Sequence, residues 1–161
     1  MKNYQIEGKD GKMYWVHRAV AVSAFVFKSD ADNNWYILAN KRGKGTPDFQ
    51  GYWNCPCGYL DWEETLAQAC SREVAEECKI NILPSRFTQF AINDTMESNL
   101  QNVTVRHYAT LVEDNDDTTI AIGTEGEKDE VEEVKWIPVT EISQYKWAFG
   151  HDKVIKKLMM L

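Results

Sequence analysis

The chain has 161 residues, of which 43% are hydrophobic and 27% charged, and its net charge is −7. This length and composition are typical of a globular protein, and we predict one domain that spans residues 1–161. The negative charge argues against a nucleic acid or an anionic membrane as the main partner. Residues 1–15 lack the apolar run of a secretory signal, and no stretch approaches the roughly 20 apolar residues of a membrane span, so we predict a cytoplasmic location.

The first part of the chain predicts strands and turns. Residues 19–27 form a continuous apolar run, which is typical of a strand buried on both faces, and residues 35–39 predict a second strand. The polar segment between them indicates a hairpin turn. A loop rich in turn-forming residues follows at 42–50, and residues 51–60 predict a short strand and a glycine turn.

A helix is predicted from near Thr65 to near Cys78. Thr65 and Gln68 have the spacing of a capping box, in which a hydroxyl and an amide satisfy the free N–H groups of the first helical turn. The acidic residues of this helix are expected on its exposed side. Helical spacing places the apolar residues together on the other side: Leu66, Ala69, Cys70, Val74 and Ala75.

The remaining sequence predicts further strands, a short helix after Pro138 and a C-terminal helix. Strands combined with few helices indicate an α+β sandwich. The strands are predicted at 87–92, 103–112, 119–122 and 131–137, and the C-terminal helix at 152–161.

The four cysteines, Cys55, Cys57, Cys70 and Cys78, all lie in the central part of the chain. Cys55 and Cys57 lack the C-x-x-C spacing of a zinc site, and no histidine is near them in sequence. We therefore expect small, half-buried thiols in a reducing compartment.

Three glutamates on the predicted helix are the most informative feature of the chain. Glu73, Glu76 and Glu77 are spaced i, i+3 and i+4, so they share one face of the helix. Each like-charged pair destabilises a helix by on the order of a few tenths of a kcal/mol. We expect a cation to compensate this repulsion, and carboxylate oxygens favour Mg²⁺ or Mn²⁺ over softer metals.

The glutamates belong to a longer pattern that covers residues 58–80. This segment resembles the Nudix box, G-x5-E-x7-R-E-U-x-E-E-x-G-U, in which U is an aliphatic residue. Eight of its nine specified positions match, and the signal is specific because several polar residues at fixed spacings rarely coincide by chance. The matching residues are Gly58, Glu64, Arg72, Glu73, Val74, Glu76, Glu77 and Ile80.

The resemblance to Nudix hydrolases, the family of MutT, implies an α/β/α sandwich with a mixed β-sheet. It also implies hydrolysis of the pyrophosphate bond in a nucleoside diphosphate linked to another moiety, with Mg²⁺ or Mn²⁺ as the cofactor. A bound metal neutralises the diphosphate and lowers the pKa of an attacking water. The implied partner is a small-molecule nucleotide, and similar proteins are often homodimers.

The resemblance further implies which residues bind the metal. Glu76 and Glu77 resemble the principal metal ligands. Glu73 resembles a further ligand, and so does the backbone carbonyl of Gly58, because the turn that contains it leads back beside the helix.

Supporting and catalytic roles are implied for other positions. Arg72 is expected to orient the glutamates from the helix face that it shares with them, and Glu64 resembles the box position that supports this arrangement. The general base of such enzymes often lies on a later loop, and the acidic stretch 125–133 is the expected place here. Our candidate is Glu130, and the alternatives are Glu127, Asp129 and Glu133.

Two residues are candidates for substrate binding. Arg42 ends the second strand, and an arginine at this point in similar enzymes often contacts substrate phosphate, for which its planar fork is suited. A solvated surface arginine is the alternative. Trp62 lies in the loop before the helix, and an exposed ring there could stack on a nucleobase.

Two positions depart from the family pattern. Lys79 replaces the glycine that normally adopts a left-handed conformation after the helix, at a cost of about 1 kcal/mol. Cys57 stands where many relatives have glycine. The segment 53–58 is similar in outline to isopentenyl-diphosphate isomerase, which shares the fold and has a catalytic cysteine, but Tyr59 stands where that family has a metal-binding histidine. The isomerase is therefore the weaker alternative.

A non-catalytic nucleotide sensor is the alternative from another class of protein, since Nudix-like domains act as ligand-binding modules in some regulators. Such modules tend to lose box glutamates, whereas Glu73, Glu76 and Glu77 are all present. The signatures of enzymes for NADH, ADP-ribose, dinucleoside polyphosphates and coenzyme A are absent. A nucleoside triphosphate or a small nucleotide sugar is therefore the expected substrate.

Overall fold

The computed structural model of the protein describes residues 3–95, 102–112, 116–123 and 129–160. Within these ranges it contains two α-helices, α1 (Leu66–Cys78) and α2 (His151–Met159), and two 3₁₀ helices, Pro84–Arg86 and Val139–Gln144. The strands are β1 (Tyr4–Glu7), β2 (Met13–Val16), β3 (Ala19–Ser29), β4 (Trp35–Arg42), β5 (Trp53–Asn54), β6 (Cys57–Tyr59), β7 (Thr88–Asn93), β8 (Asn102–Val112) and β9 (Val131–Pro138).

The central sheet has seven strands and is mixed. β3 and β8 run parallel, whereas β7 is antiparallel to β8 and β9 is antiparallel to β4. β3 and β4 form the predicted hairpin but pair only next to its turn, through residues 27–29 of β3. The start of β3 pairs instead with β6, and the end of β4 pairs with β5. The two central strands therefore diverge, and two short strands, rather than the single one predicted at 51–60, fill the gap.

Helices cover both faces of the sheet, which confirms the predicted α+β architecture. Successive residues of a strand point to opposite faces. Val22 and Ala24 of β3 pack with the apolar side of α1, whereas Phe25 and Phe27 pack with α2. All four side chains are almost fully buried, so an apolar core on each face stabilises the sandwich. We call the two sides of the sheet the α1 face and the α2 face.

Helix α1 begins and ends where the sequence predicts. Thr65 is the N-cap, and the capping box is complete: the Gln68 N–H donates to Thr65 Oγ1 over 3.3 Å, and the Thr65 N–H donates to Gln68 Oε1 over 2.8 Å. Lys79 follows the helix with φ 58° and ψ 24°. It thus adopts the left-handed conformation that a glycine normally takes at this position.

Replacing Lys79 by glycine is expected to stabilise the protein. A residue with a Cβ in the left-handed region costs about 1 kcal/mol, which corresponds to about 2–4 °C in Tm for a chain of this size. Thermal unfolding of Lys79→Gly should be compared with that of Asn33→Gly. Asn33 has a similar φ of 61°, but asparagine tolerates this region and should gain less. Equal gains in the two variants would contradict this account of the helix end.

The strand predicted at 119–122 is wrong, because this segment caps helix α1 instead. The Ala121 N–H donates to the Cys78 carbonyl over 3.1 Å, and the Gly123 N–H donates to the Glu77 carbonyl over 3.2 Å. The last carbonyls of a helix lack partners within the helix, and these contacts satisfy two of them. A Cβ on Gly123 would lie 1.3 Å from the Glu76 carbonyl oxygen, so this approach requires glycine.

The other predicted elements are found close to their expected bounds. The strands predicted at 87–92, 103–112 and 131–137 correspond to β7, β8 and β9, and the C-terminal helix corresponds to α2. The sequence did not predict β1 and β2, which form a separate antiparallel hairpin. No helix in the described part of the chain is long and apolar enough to span a membrane.

Candidate active site

Helix α1 carries the three predicted carboxylate ligands on one side. Glu73 and Glu77 are only 8% and 5% exposed, and Glu76 is partly exposed. The expectation of an exposed acidic face is therefore wrong. β4 and β6 lie against this side of the helix, where Asn40 contacts Glu77 and the Gly58 backbone contacts Glu73.

Arg72 makes five hydrogen bonds through its guanidinium group, four to neighbouring carboxylates and one to a backbone carbonyl. Nε and Nη2 donate to the two oxygens of Glu64 over 3.1 and 2.7 Å. Nη1 donates to Glu73 over 2.7 Å and to Glu76 over 3.1 Å, and Nη2 also donates to the Tyr59 carbonyl over 2.9 Å. Charge-assisted, bidentate contacts of this kind fix the orientation of carboxylates. The hydrogen bonds from Arg72 also lower the pKa of Glu64.

Strand β6 brings the Gly58 backbone against the Glu73 carboxylate. Gly58 pairs with Val22, a residue of the α1 face, so a side chain at position 58 would point toward the helix. A Cβ there would lie 2.1 Å from Glu73 Oε1, and only glycine allows this approach. The backbone and the carboxylate that are both predicted to bind metal are therefore adjacent.

The substitution Gly58→Ala is expected to lower kcat/KM by about 100-fold, because the methyl group displaces the Glu73 carboxylate by about 1 Å. Stability should change little, since the clashing atoms are at the far end of a flexible side chain. Steady-state kinetics and thermal unfolding measure the two effects. Gly11→Ala is the control for activity, because a Cβ at Gly11 meets nothing within 4 Å; its φ of 76° means that alanine there costs stability through backbone strain instead. Full activity of Gly58→Ala would show that the close approach is dispensable.

Asn40 belongs to the site, although the sequence pattern did not single it out. Its Nδ2 donates a hydrogen bond to Glu77 Oε2, and both side chains are buried. Asn40 lies on β4, directly after the apolar residues 35–39 that predicted the strand. A polar side chain that continues a buried strand was the available signal, because buried polar groups need a partner.

The surroundings of Glu73 and Glu77 disfavour the ionised forms of their carboxyl groups. Burial raises the pKa of Glu73 to about 7, against the lowering effect of Arg72, and repulsion from Glu76 and Glu130 also raises it. Burial raises the pKa of Glu77 well above its ordinary value, and the charges of Glu73 and Glu130 raise it further. Desolvation and like charges both disfavour the ionised form, so a bound cation would stabilise this group of side chains.

Glu130 is the general-base candidate that the structure brings to these glutamates. Its charge acts on both Glu73 and Glu77, and its carbonyl accepts a hydrogen bond from the Gly43 N–H over 2.7 Å. A Cβ on Gly43 would lie 2.1 Å from the Asp129 carbonyl oxygen. The glycine therefore permits the backbone contact that positions Glu130.

The alternatives to Glu130 have other surroundings. Asp129 is exposed, and Glu133 pairs with Lys135 at 3.1 Å. Glu127 lies outside the described residues. Neither Asp129 nor Glu133 is among the charges that raise the pKa of Glu73 or Glu77.

The donor chemistry of the site fits Mg²⁺ or Mn²⁺, because these hard cations prefer carboxylate and carbonyl oxygens. In the part of the chain that the structure describes, no three acidic, histidine or cysteine side chains already converge on one point. Glu73 and Glu76 contact Arg72 instead, and Glu77 contacts Asn40. Mg²⁺ keeps several waters and takes only one or two protein carboxylates when substrate phosphates also bind it, so the donor set is sufficient.

The two predicted substrate-binding residues have different surroundings. Arg42 Nη2 pairs with Asp48 Oδ1 at 2.7 Å, and the guanidinium carbon lies 4.9 Å from the centre of the Phe149 ring. Asp48 thus occupies part of the fork that was expected to contact phosphate. Trp62 is 91% exposed in the loop that joins β6 to α1, so its ring is accessible for stacking.

All four cysteines are free thiols, as expected. Cys57 is partly exposed, whereas Cys55, Cys70 and Cys78 are buried. Burial raises the pKa of the Cys57 thiol, and the Glu77 charge raises it further. The thiol therefore stays protonated at neutral pH, when it is a poor nucleophile.

A sequence profile of the NUDIX domain matches residues 17–158. The chain belongs to the Nudix hydrolase family. This match confirms the resemblance that residues 58–80 indicated, and it extends over nearly the whole chain. As a Nudix hydrolase, the protein is an enzyme that acts on nucleoside diphosphate derivatives. No curated protein sequence matches the chain significantly.

Solved structures share this Nudix fold. The NUDIX domain of Shewanella oneidensis NrtR, complexed with ADP ribose, is 24% identical, with a TM-score of 0.72 over 90% of this chain and 88% of that chain. A C. elegans Ap4A hydrolase is 15% identical, with a TM-score of 0.62 over 88% of this chain and 96% of that one. A bifunctional NMN adenylyltransferase/ADP ribose pyrophosphatase from Francisella tularensis, complexed with AMP and a Mn ion, is 25% identical, with a TM-score of 0.64 over 89% of this chain and 41% of that one.

Proposed function

We propose that this Nudix hydrolase splits the pyrophosphate bond of a nucleoside diphosphate linked to another moiety, with Mg²⁺ or Mn²⁺ bound, as a single domain over residues 1–161. A nucleoside triphosphate or a nucleotide sugar is the proposed class of substrate. The observation that carries this proposal is the burial of the Glu73 and Glu77 carboxyl groups on one side of α1, with Glu73 against the Gly58 backbone. Burying carboxylates in this way is unfavourable unless a cation compensates them.

The metal would be held by Glu73, Glu76, Glu77 and the carbonyl of Gly58. When bound, it would neutralise the diphosphate and lower the pKa of an attacking water. The hydrogen bond from Asn40 keeps the Glu77 carboxylate at the sheet. Phosphoryl transfer depends mainly on positioning and charge stabilisation, and this rigid arrangement of carboxylates supplies both.

Other residues would orient the site and the substrate. Arg72, held in turn by Glu64, keeps the carboxylates in place before the substrate arrives. Glu130 would accept the proton of the attacking water, since its charge lies near the glutamates. Arg42 would contact substrate phosphate, and the exposed ring of Trp62 would stack on the nucleobase. Proteins of the same fold are complexed with ADP ribose and with AMP, which supports a small nucleotide as the ligand.

Location and assembly are part of the proposal. Free thiols at all four cysteines fit the reducing cytoplasm, and the acidic chain is not expected to bind nucleic acid or a membrane. A homodimer is proposed because similar proteins often form one. Sedimentation of the purified protein should then give a mass of two chains.

The deciding experiment is a panel of nucleotides incubated with the protein and Mg²⁺ or Mn²⁺. Orthophosphate, pyrophosphate and nucleoside monophosphate are measured as products. We expect cleavage of at least one nucleoside triphosphate or nucleotide sugar, with no turnover when metal is removed. Turnover that is independent of metal, or no turnover of any nucleotide, would overturn the proposal.

The nucleotide panel tests the sensor alternative, and a separate incubation tests the isomerase alternative. Nucleotide binding in Mg²⁺ without turnover would identify a sensor. Incubation with isopentenyl diphosphate tests the isomerase, and we expect no dimethylallyl product because desolvation and the Glu77 charge raise the pKa of the Cys57 thiol, which stays protonated. The intact glutamates of the box favour the hydrolase over both.

A further inference from the structure

The α2 face of the sheet carries buried polar atoms that the glutamate site does not use. Ser23 on β3 is fully buried, and its Oγ has no hydrogen-bond partner among the residues that the structure describes. Arg106 on β8 is in register with Ser23, so both side chains point to the same face. The Nε of Arg106 is also buried without a partner. Unpaired buried polar atoms are rare in native proteins, and two of them side by side indicate that a ligand completes them.

This part of the α2 face is positively charged, in contrast to the net charge of −7 of the whole chain. Burial disfavours the charge of Arg106 and lowers its pKa, and no carboxylate in the described ranges offsets this effect. Both Arg106 and Arg42 act on buried His151 of α2, whose pKa burial and these two charges lower to about 3. An arginine keeps its proton in proteins, and Arg106 is partly buried, so a bound anion would stabilise this charge.

Aromatic rings in strained backbone positions lie beside this charge. Phe49 and Phe149 have ring centres 5.1 Å apart, and their φ angles are 51° and 56°. These values fall in the left-handed region, which disfavours residues with a Cβ. Phe149 also contacts Arg42 and the ring of His151. Strained residues of this kind cluster at binding sites.

We propose that Arg106 and Ser23 bind a second anionic group, a phosphoryl or a carboxylate, on the moiety that is attached to the diphosphate of the substrate. This inference rests on the proposed function, because the first anionic group is the diphosphate at the glutamates. A guanidinium and a hydroxyl supply donors that match the acceptor oxygens of such a group. A substrate without it leaves the Arg106 charge unpaired, so Arg106 determines specificity rather than chemistry.

The register of the sheet fits a substrate that spans both sites. Ser23 pairs with Cys57, the neighbour of Gly58, on one side and with Arg106 on the other. Arg106 therefore lies two interstrand spacings, about 10 Å, from Cys57. A nucleoside or a sugar covers this distance between two anionic groups.

Orthophosphate in metal-free buffer is the probe for this site. Thermal unfolding is measured in potassium phosphate and in potassium chloride of equal ionic strength, after divalent metals are removed with a chelating resin. We expect phosphate to raise the Tm of the wild-type protein by about 2–4 °C more than that of Arg106→Gln. Phosphate also stabilises proteins in general, and this effect cancels when the wild-type protein is compared with Arg106→Gln. Arg86→Gln is the matched control, because Arg86 pairs with Asp116 away from this site, and it should keep the wild-type response.

Ser23→Ala provides a second variant should Arg106→Gln fail to fold. It removes a buried hydroxyl that has no partner, so the fold should be retained, and its response to phosphate should be reduced. Equal responses in the wild-type protein and in the variants that fold would overturn the proposal. The experiment contains no metal and measures no hydrolysis, so an inactive result in the nucleotide panel leaves its outcome unaffected.

Discussion

Replacing Glu77 by glutamine is expected to lower kcat by about 100-fold or more, since a neutral amide is a poor substitute for a carboxylate at a Mg²⁺ site. The same change should stabilise the metal-free protein. Glutamine can still accept the hydrogen bond from Asn40, and it removes a carboxyl group whose ionised form is disfavoured by burial and by the charges of Glu73 and Glu130. Loss of activity together with a gain in stability distinguishes a metal-binding residue from a structural one.

Kinetics on the best substrate of the panel and thermal unfolding with and without Mg²⁺ measure both effects. Mg²⁺ should raise the Tm of the wild-type protein, and Glu77→Gln should lose most of this rise. Glu76→Gln should lose activity as well but gain less stability, because Glu76 is partly exposed. Glu132→Gln is the control, since exposed Glu132 pairs with Lys41. Unchanged activity in both Glu76→Gln and Glu77→Gln would contradict the metal assignment.

Arg72→Lys is expected to be the most destabilising conservative change in the site. A lysine has three donors on a compact charge and cannot reproduce the bidentate contact with Glu64 together with those to Glu73 and Glu76. Removing one partner from a buried charge network costs about 3–5 kcal/mol, and partial exposure of Arg72 reduces this to about 2–4 kcal/mol. The expected loss in Tm is about 5–15 °C. Activity should also fall by about 10–100-fold, as for other residues that orient ligands.

Arg86→Lys is the matched control for this change. Arg86 forms an ion pair with Asp116, and such surface pairs contribute about 0–1 kcal/mol. Thermal unfolding of the two variants at low and high salt compares a partly buried network with an exposed pair, because salt screens exposed charges more strongly. Similar small losses in both variants would mean that Arg72 does not hold the carboxylates together.

The parts of the fold that the sequence predicted are those with local signals. Helix α1 is specified by the capping box at Thr65 and by apolar residues at helical spacing. The central strands are specified by continuous apolar runs, which require burial on both faces. The Nudix box fixes the identity and order of the glutamates, so the family could be predicted, and so could the fact that Glu73, Glu76 and Glu77 share one side of the helix.

The errors concern contacts between distant parts of the chain. The spacing of Glu73 and Glu77 shows that they share a face, but nothing local reveals that β4 and β6 cover it. Residues 119–122 have the composition of a strand, yet the unpaired carbonyls at the end of α1 bind their N–H groups. In these cases a tertiary contact determines the local structure or burial, which intrinsic propensity alone does not predict.

Strand β3 also limits how the length of this protein can vary. Val22 pairs with Gly58 on the side of α1, and the next residue, Ser23, pairs with Arg106 on the side of α2. Inserting or deleting one residue within 19–29 would turn every later side chain to the opposite side of the sheet. A single insertion or deletion would therefore disrupt both the glutamate site on the α1 face and the pairing of Ser23 with Arg106 on the α2 face. Natural variation in length is therefore expected in the turn at 30–34, and this strand should keep the same number of residues in homologous chains.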